Sequence, residues 1–200
     1  MTVFKRHIFL LATGCIGTLC PLAGAGDAAS IKRDEIMHFE KYCSENPEEK
    51  KELLKVEADD YSYSNLIKRA QQLLDSSYVL ACSEKGYRER KEAISQMNNL
   101  VAILDVLGRF ALRGERRATV SVLGGLLLQH SPSHFNQYHP VAGVLSRIAK
   151  NYIYDDEPSH NPPSEASSCA LDMLTYAARE GGMHCAWATH YLSIVRTSAL

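Results

Sequence analysis

The sequence carries almost no net charge and, beyond its N-terminal segment, no long hydrophobic run. With 22 Lys+Arg against 23 Asp+Glu the formal charge is -1. That balance excludes the strongly basic character that drives general affinity for nucleic acid or an anionic membrane. A membrane-spanning helix needs about 20 consecutive, predominantly apolar residues, so no stable span is expected. Compact catalytic signatures are missing too: no His-Glu-x-x-His, no Gly-x-Ser-x-Gly elbow, no phosphate-cradling glycine loop and no dinucleotide fingerprint. No cofactor is implied. Alternating β-branched runs bounded by turns are absent, which argues against a sheet.

The N-terminus itself reads as an export signal. Lys5 and Arg6 precede an apolar stretch from Ile8 to Leu22, and the small-residue run Ala23-Gly24-Ala25 follows. Residues 1–25 are expected to be a signal peptide and residues 26–200 a single all-helical domain, soluble in the periplasm or secreted. A rival reading lipidates Cys15, because Leu11-Ala12-Thr13-Gly14-Cys15 resembles a bacterial lipobox. Cleavage after Ala25 takes the formal charge from -1 to -3 and removes Cys15 and Cys20.

Four cysteines then remain, Cys43, Cys82, Cys169 and Cys185, an even set in a chain bound for an oxidising space. Two disulfides are expected, the alternative being four buried thiols that act as small apolar side chains. If Cys169 and Cys185 lie on antiparallel helices joined near Gly181-Gly182, they stand about 13 Å apart along the axis, beyond the roughly 4.4–6.8 Å that a disulfide tolerates. They should not pair with each other.

From Ile31 onward apolar residues recur at three- and four-residue steps, the helical period. The spacing predicts helices over Lys32 to Tyr42, then from Asn46-Pro47 to near Asp60, Tyr63 to Cys82, Arg88 to Leu112, and Glu115 to Gln129. Further helices follow from Val141 to Tyr152, Glu165 to Glu180, and Met183 to about Thr197. Asn46 can cap the second helix, with Pro47 at its first position. Gly114 stops the fourth, and Gly124-Gly125 allows a neighbouring helix to approach the fifth. The fold class is all-α: antiparallel helix hairpins stacked as a short α/α repeat or an irregular helical bundle.

A sequence echo favours the repeat. Leu107 to Gly114, followed by Ala118 and Leu123-Gly124, parallels Leu174 to Gly181, followed by Ala186 and Tyr191-Leu192. In the second copy Ala170, Leu174, Ala177, Ala178, Gly181, Cys185 or Ala186, and Tyr191 fall near the small, aromatic and glycine positions of the suppressor-enhancer-of-lin repeat, a relative of the tetratricopeptide repeat. The resemblance covers about thirty-five residues well. It implies stacked helix pairs that present a surface to another protein. Proteins of this size and repeat type resemble periplasmic immunity proteins that block an antibacterial toxin by occluding its active site.

Candidate site residues fall in three groups. Arg109, Arg113 and either Arg116 or Arg117 can share a helical surface able to meet an acidic partner through bidentate arginine contacts. Tyr152 and Tyr154, together with Trp187, can belong to the core or anchor an interface. Six of the eight histidines lie between His130 and His190; His130, His134 and His139 share one loop and form the set on which a metal site would have to rest. Cys185 near His184 and His190 invites a nucleophile reading, although structural burial or a disulfide explains it far better. The expectation is therefore an exported, non-enzymatic protein-binding module whose partner is another protein, a secreted toxin being one candidate. The alternatives are a secreted metal-dependent hydrolase built on the histidine loop and an envelope or virulence-associated adaptor.

Overall fold

Helical spacing becomes helices in a computed structural model of the chain, which describes residues 33–54, 62–81, 87–129, 139–150, 164–180 and 183–197. The expected signal segment, with Cys15 and Cys20, lies outside them. The described elements are α1 (Arg33–Glu45), α2 (Pro47–Leu54), α3 (Tyr63–Ala81), α4 (Tyr87–Arg113), α5 (Arg117–Gln129), α6 (Pro140–Ala149), α7 (Glu165–Arg179) and α8 (Met183–Thr197). Among the described residues there is no strand, and the helices pack on one another as an all-α bundle. None of these helices is long and apolar enough to cross a membrane.

The short α6 is the middle of the bundle. Val141, Ala142, Val144, Leu145 and Ile148 are buried, and so are Gly143 and Ser146. A helix apolar on nearly every side has to sit inside, and α6 touches α4, α5, α7 and α8. One polar side chain leaves it: Arg147 reaches Asp105 of α4 in a short ion pair. The long α4 packs on α3 and α6 through Leu100, Ile103, Leu104, Leu107 and Ala111, all buried. Its expected apolar stripe does not hold toward the N-terminal end, where Ile94 is 62% exposed.

At the other side of α4 an aromatic cluster joins three helices. Phe39 and Tyr42 of α1, Tyr63 of α3 and Phe110 of α4 pack with ring centroids 5.1–6.4 Å apart. Each such pair adds about 0.5–1.5 kcal/mol beyond the area it buries. Tyr63 needs a partner for its buried hydroxyl and finds Thr119 Oγ1 of α5 at 2.8 Å; Thr119 in turn donates to Glu35 Oε2 of α1 at 3.4 Å.

Helix ends correct two local expectations and refine a third. Asn46 does not cap α2 with its side chain; Asn46 Nδ2 turns back and donates to the Tyr42 carbonyl at 2.8 Å, closing α1. Helix α4 does stop at Gly114, but Gly114 is not its left-handed residue. Glu115 is, at φ 51°, with its N–H donating to Leu112 and that of Arg116 to Ala111, the two bonds of a Schellman motif. Helix α5 accordingly starts at Arg117 rather than at Glu115.

Gly124 does admit a neighbour: a Cβ there would lie 1.9 Å from Met173 Cε of α7, whereas one on Gly125 would meet nothing within 4 Å. The two hairpins of the sequence echo are packed unlike each other. Helices α7 and α8 lie closely together, whereas α5 packs more against α7 than against α4. Ala118 and Ala186, the matching alanines of the echo, are exposed.

Candidate functional site

The structure turns most of the basic cluster onto the chain itself. Arg109 Nη2 lies 2.5 Å from both Glu49 Oε2 and Glu52 Oε2, and the Arg109 side chain is only 11% exposed. Arg113 donates to Asn46 Oδ1 at 2.9 Å. Arg116 Nη1 stands 3.9 Å from Glu35 Oε1 while its guanidinium lies 5.9 Å from the centre of the Phe110 ring. Only the side chains of Arg113 and Arg117 belong to exposed residues of this set. The expected shared surface is thus divided, because α1 and α2 fold across α4 and bring Glu35, Asn46, Glu49 and Glu52 to the arginines.

Burial also raises three groups packed beside this cluster. Desolvation, reinforced by the Glu49 carboxylate, pushes the Cys43 thiol up to about 11. Desolvation first and Glu49 second likewise raise the Tyr42 phenol, which donates to Glu49 Oε1 at 3.2 Å. Tyr63 is raised chiefly by burial.

The two-disulfide framework is corrected. Cys43, Cys169 and Cys185 are free thiols; Cys82 lies outside the described residues. Cys169 is buried with Sγ 4.0 Å from the Arg117 carbonyl, and Cys185 Sγ donates to the Ala178 carbonyl at 2.9 Å. That bond directs the Cys185 thiol onto α7. His190 follows it by five residues, well round the helix, and its ring meets Tyr191 instead. A Cys185–His190 dyad is not assembled.

Of the histidine set, His130 and His134 lie outside the described residues, as do Tyr152 and Tyr154. His139 is fully buried. It is the N-cap of α6, its Nδ1 accepting from the Ala142 N–H at 3.5 Å, and its ring centroid is 5.1 Å from that of Trp187. Trp187 is therefore core. Among the described residues no group of three or more His, Cys, Asp or Glu is placed to hold a metal ion.

A different feature is open to solvent. One face of the α7–α8 pair forms a groove of about 460 Å³ lined by Thr175, Ala178, Arg179, Thr189, Leu192, Ser193, Arg196 and Thr197. Helix α7 starts cleanly because Ser164 Oγ accepts from the Ser167 N–H at 3.1 Å, and Ala170, Leu174 and Ala177 pin its inner face. On α8 the buried Trp187, Ala188, Tyr191 and Leu192 do the same. The outward residues follow from that register.

The groove is lined by two arginines and no acid. Among the described residues no carboxylate pairs with Arg179 or Arg196. Glu180, next to Arg179, instead accepts from the Tyr176 hydroxyl, a bond that raises the Tyr176 phenol. Thr175 and Thr197 donate their hydroxyl protons to carbonyls of their own helices at 2.8–3.2 Å, and Ser193 does so at 2.6 Å. Sequence reading passed over this stripe, although residues 189, 192, 193, 196 and 197 repeat at the helical period and mix hydroxyls with a cation. Their polarity reads as an ordinary solvated face until α7 is placed beside it.

Compared with known proteins, the chain matches no family model, no curated protein and no solved structure.

Proposed function

We propose that the chain is an exported, non-enzymatic protein-binding module of the periplasmic or secreted space, acting on a secreted toxin as an immunity protein does. The α7–α8 groove carries this reading. It is an open, two-helix surface with two guanidinium groups that no carboxylate among the described residues pairs, on elements that are themselves firmly packed. The N-terminal run from Lys5 to Ala25 supports export. Against the hydrolase alternative stands His139, whose Nδ1 serves the α6 N-terminus and whose ring packs on Trp187.

The test is a tagged full-length chain expressed with its leader and recovered from the exported fraction. The expected result is one protein bound saturably at one-to-one stoichiometry, whose own enzymatic activity falls as the complex forms. A bound partner with unchanged activity would replace the immunity role by an adaptor role. Failure to find any saturable partner would overturn the binding reading as a whole.

A further inference from the structure

We infer that the α7–α8 groove recognises an acidic segment of the protein partner, one that carries a carboxylate toward each end and small or apolar side chains between. This rests on the protein-binding reading above and adds the chemistry of the bound segment. Three observations lead to it.

The first is charge. Arg109, Arg116 and Arg147 are held by Glu49, Glu35 and Asp105 within the chain. Arg179 and Arg196 line a groove that contains no acid. A guanidinium with no carboxylate of its own can give a partner's carboxylate two parallel hydrogen bonds, the arrangement that makes arginine selective for planar acids.

The second is distance along the pair. Cys185 Sγ of α8 donates to the Ala178 carbonyl, so Arg179, the last residue of α7, lies beside the start of α8. Arg196 stands 13 residues into α8 from Met183, about 20 Å from its start at 1.5 Å per residue. The two cations thus start from well-separated levels of the helix pair and reach one groove. An extended peptide rises about 3.3 Å per residue, so roughly five or six residues cover that axial distance.

The third is what lies between the arginines. Ala178 and Leu192 supply the apolar part of the lining, beside Thr175, Thr189 and Ser193. Thr175 and Ser193 give their protons to their own helices, which leaves oxygen lone pairs to accept peptide N–H groups. Nucleic acid fits less well, since a chain of formal charge -1 offers no general attraction to a polyanion.

Nuclear magnetic resonance titration of the full chain tests this, with the blocked hexapeptide acetyl-Glu-Ala-Leu-Ser-Ala-Glu-amide as probe. Saturable shifts are expected at the Arg179 and Arg196 Nε–H signals and the Thr189 methyl. Binding should weaken about ten-fold in Arg196→Gln and in Arg179→Gln, and the peptide with Gln in place of Glu should be silent. Both substitutions are at exposed positions, and unchanged circular dichroism verifies their fold.

No saturable shift, or equal shifts over basic residues elsewhere, would overturn the inference. So would inorganic phosphate or a short oligonucleotide moving the same signals as strongly as the peptide. A captured partner that binds the Arg179→Gln/Arg196→Gln chain unchanged would remove the groove while leaving the binding reading intact. Absence of any partner beside a positive titration would do the reverse.

Discussion

Arg109 Nη2 lies 2.5 Å from Glu49 Oε2, and the two side chains are only 11% and 9% exposed. This pair fastens α2 to α4, and with Tyr42 donating to the same carboxylate it also ties in α1. A sequence reading places Arg109 on an interaction surface; the fold gives it a structural task.

Arg109→Ala should therefore destabilise the chain, because it leaves the Glu49 carboxylate buried without its cation. Breaking a buried pair costs about 3–5 kcal/mol, and the lower end applies since Tyr42 still donates to Glu49. Glu52→Gln should cost less than about 1 kcal/mol, because Glu52 is 47% exposed and its pair is screened by solvent. Urea unfolding of the two variants measures the difference. Equal effects would show that exposure does not rank these pairs.

Glu115→Gly should stabilise. The left-handed conformation at φ 51° costs an L-residue about 1–2 kcal/mol, and the added chain entropy of glycine returns part of that. A net gain of roughly 0.5–1 kcal/mol is expected. Gly114→Ala should lose stability instead, since its Cβ would stand 3.2 Å from the Phe110 carbonyl oxygen. Thermal unfolding distinguishes the two positions; the opposite order would place the turn one residue earlier.

The neighbouring glycines of α5 should also separate. Gly125→Ala gains about 0.8–1.0 kcal/mol of helix propensity with nothing in its way. Gly124→Ala must displace Met173, whose Cε, Cγ and Sδ all lie within 3.2 Å of the new methyl position. Overpacking of about 1–3 kcal/mol then exceeds the propensity gain. Denaturant midpoints should move in opposite directions, and the double variant with Met173→Ala should recover part of the loss.

Alkaline pH should loosen the α1 side of the bundle. The Cys43 thiol is raised from an ordinary value of 9.0 to about 11, so the folded chain holds its proton more tightly than the unfolded chain does. The resulting stability is fully present below pH 9 and is lost as pH rises through 11, in step with the raised Tyr42 and Tyr63 phenols. Urea midpoints should be flat from pH 7 to about 9 and fall above it. In the same buffers iodoacetamide at pH 8 should label the half-exposed Cys185 before the buried Cys43 and Cys169.

Helical periodicity made most of the fold legible, because a buried stripe leaves its spacing in the sequence. Val120, Leu123, Leu126 and Leu127 of α5 are buried as their spacing implies, and α8 runs from Met183 to Thr197 as expected. What depends on residues distant in the chain was not legible. Nothing near Arg109 announces Glu49, sixty residues earlier, and nothing in residues 107–114 says that α5 will lean on α7. The groove was hidden for the same reason: Arg179 and Arg196 look like ordinary last-turn cations until two helices bring them to one surface.

Arginine footprinting of the partner complex addresses the groove most directly. Phenylglyoxal modification of the free chain and of the complex, read by mass spectrometry, reports each guanidinium separately. Arg179 and Arg196 should lose reactivity in the complex while the exposed Arg33 keeps it. Protection of Arg113 and Arg117 with Arg179 and Arg196 still fully reactive would contradict the groove and return the interface to α4 and α5.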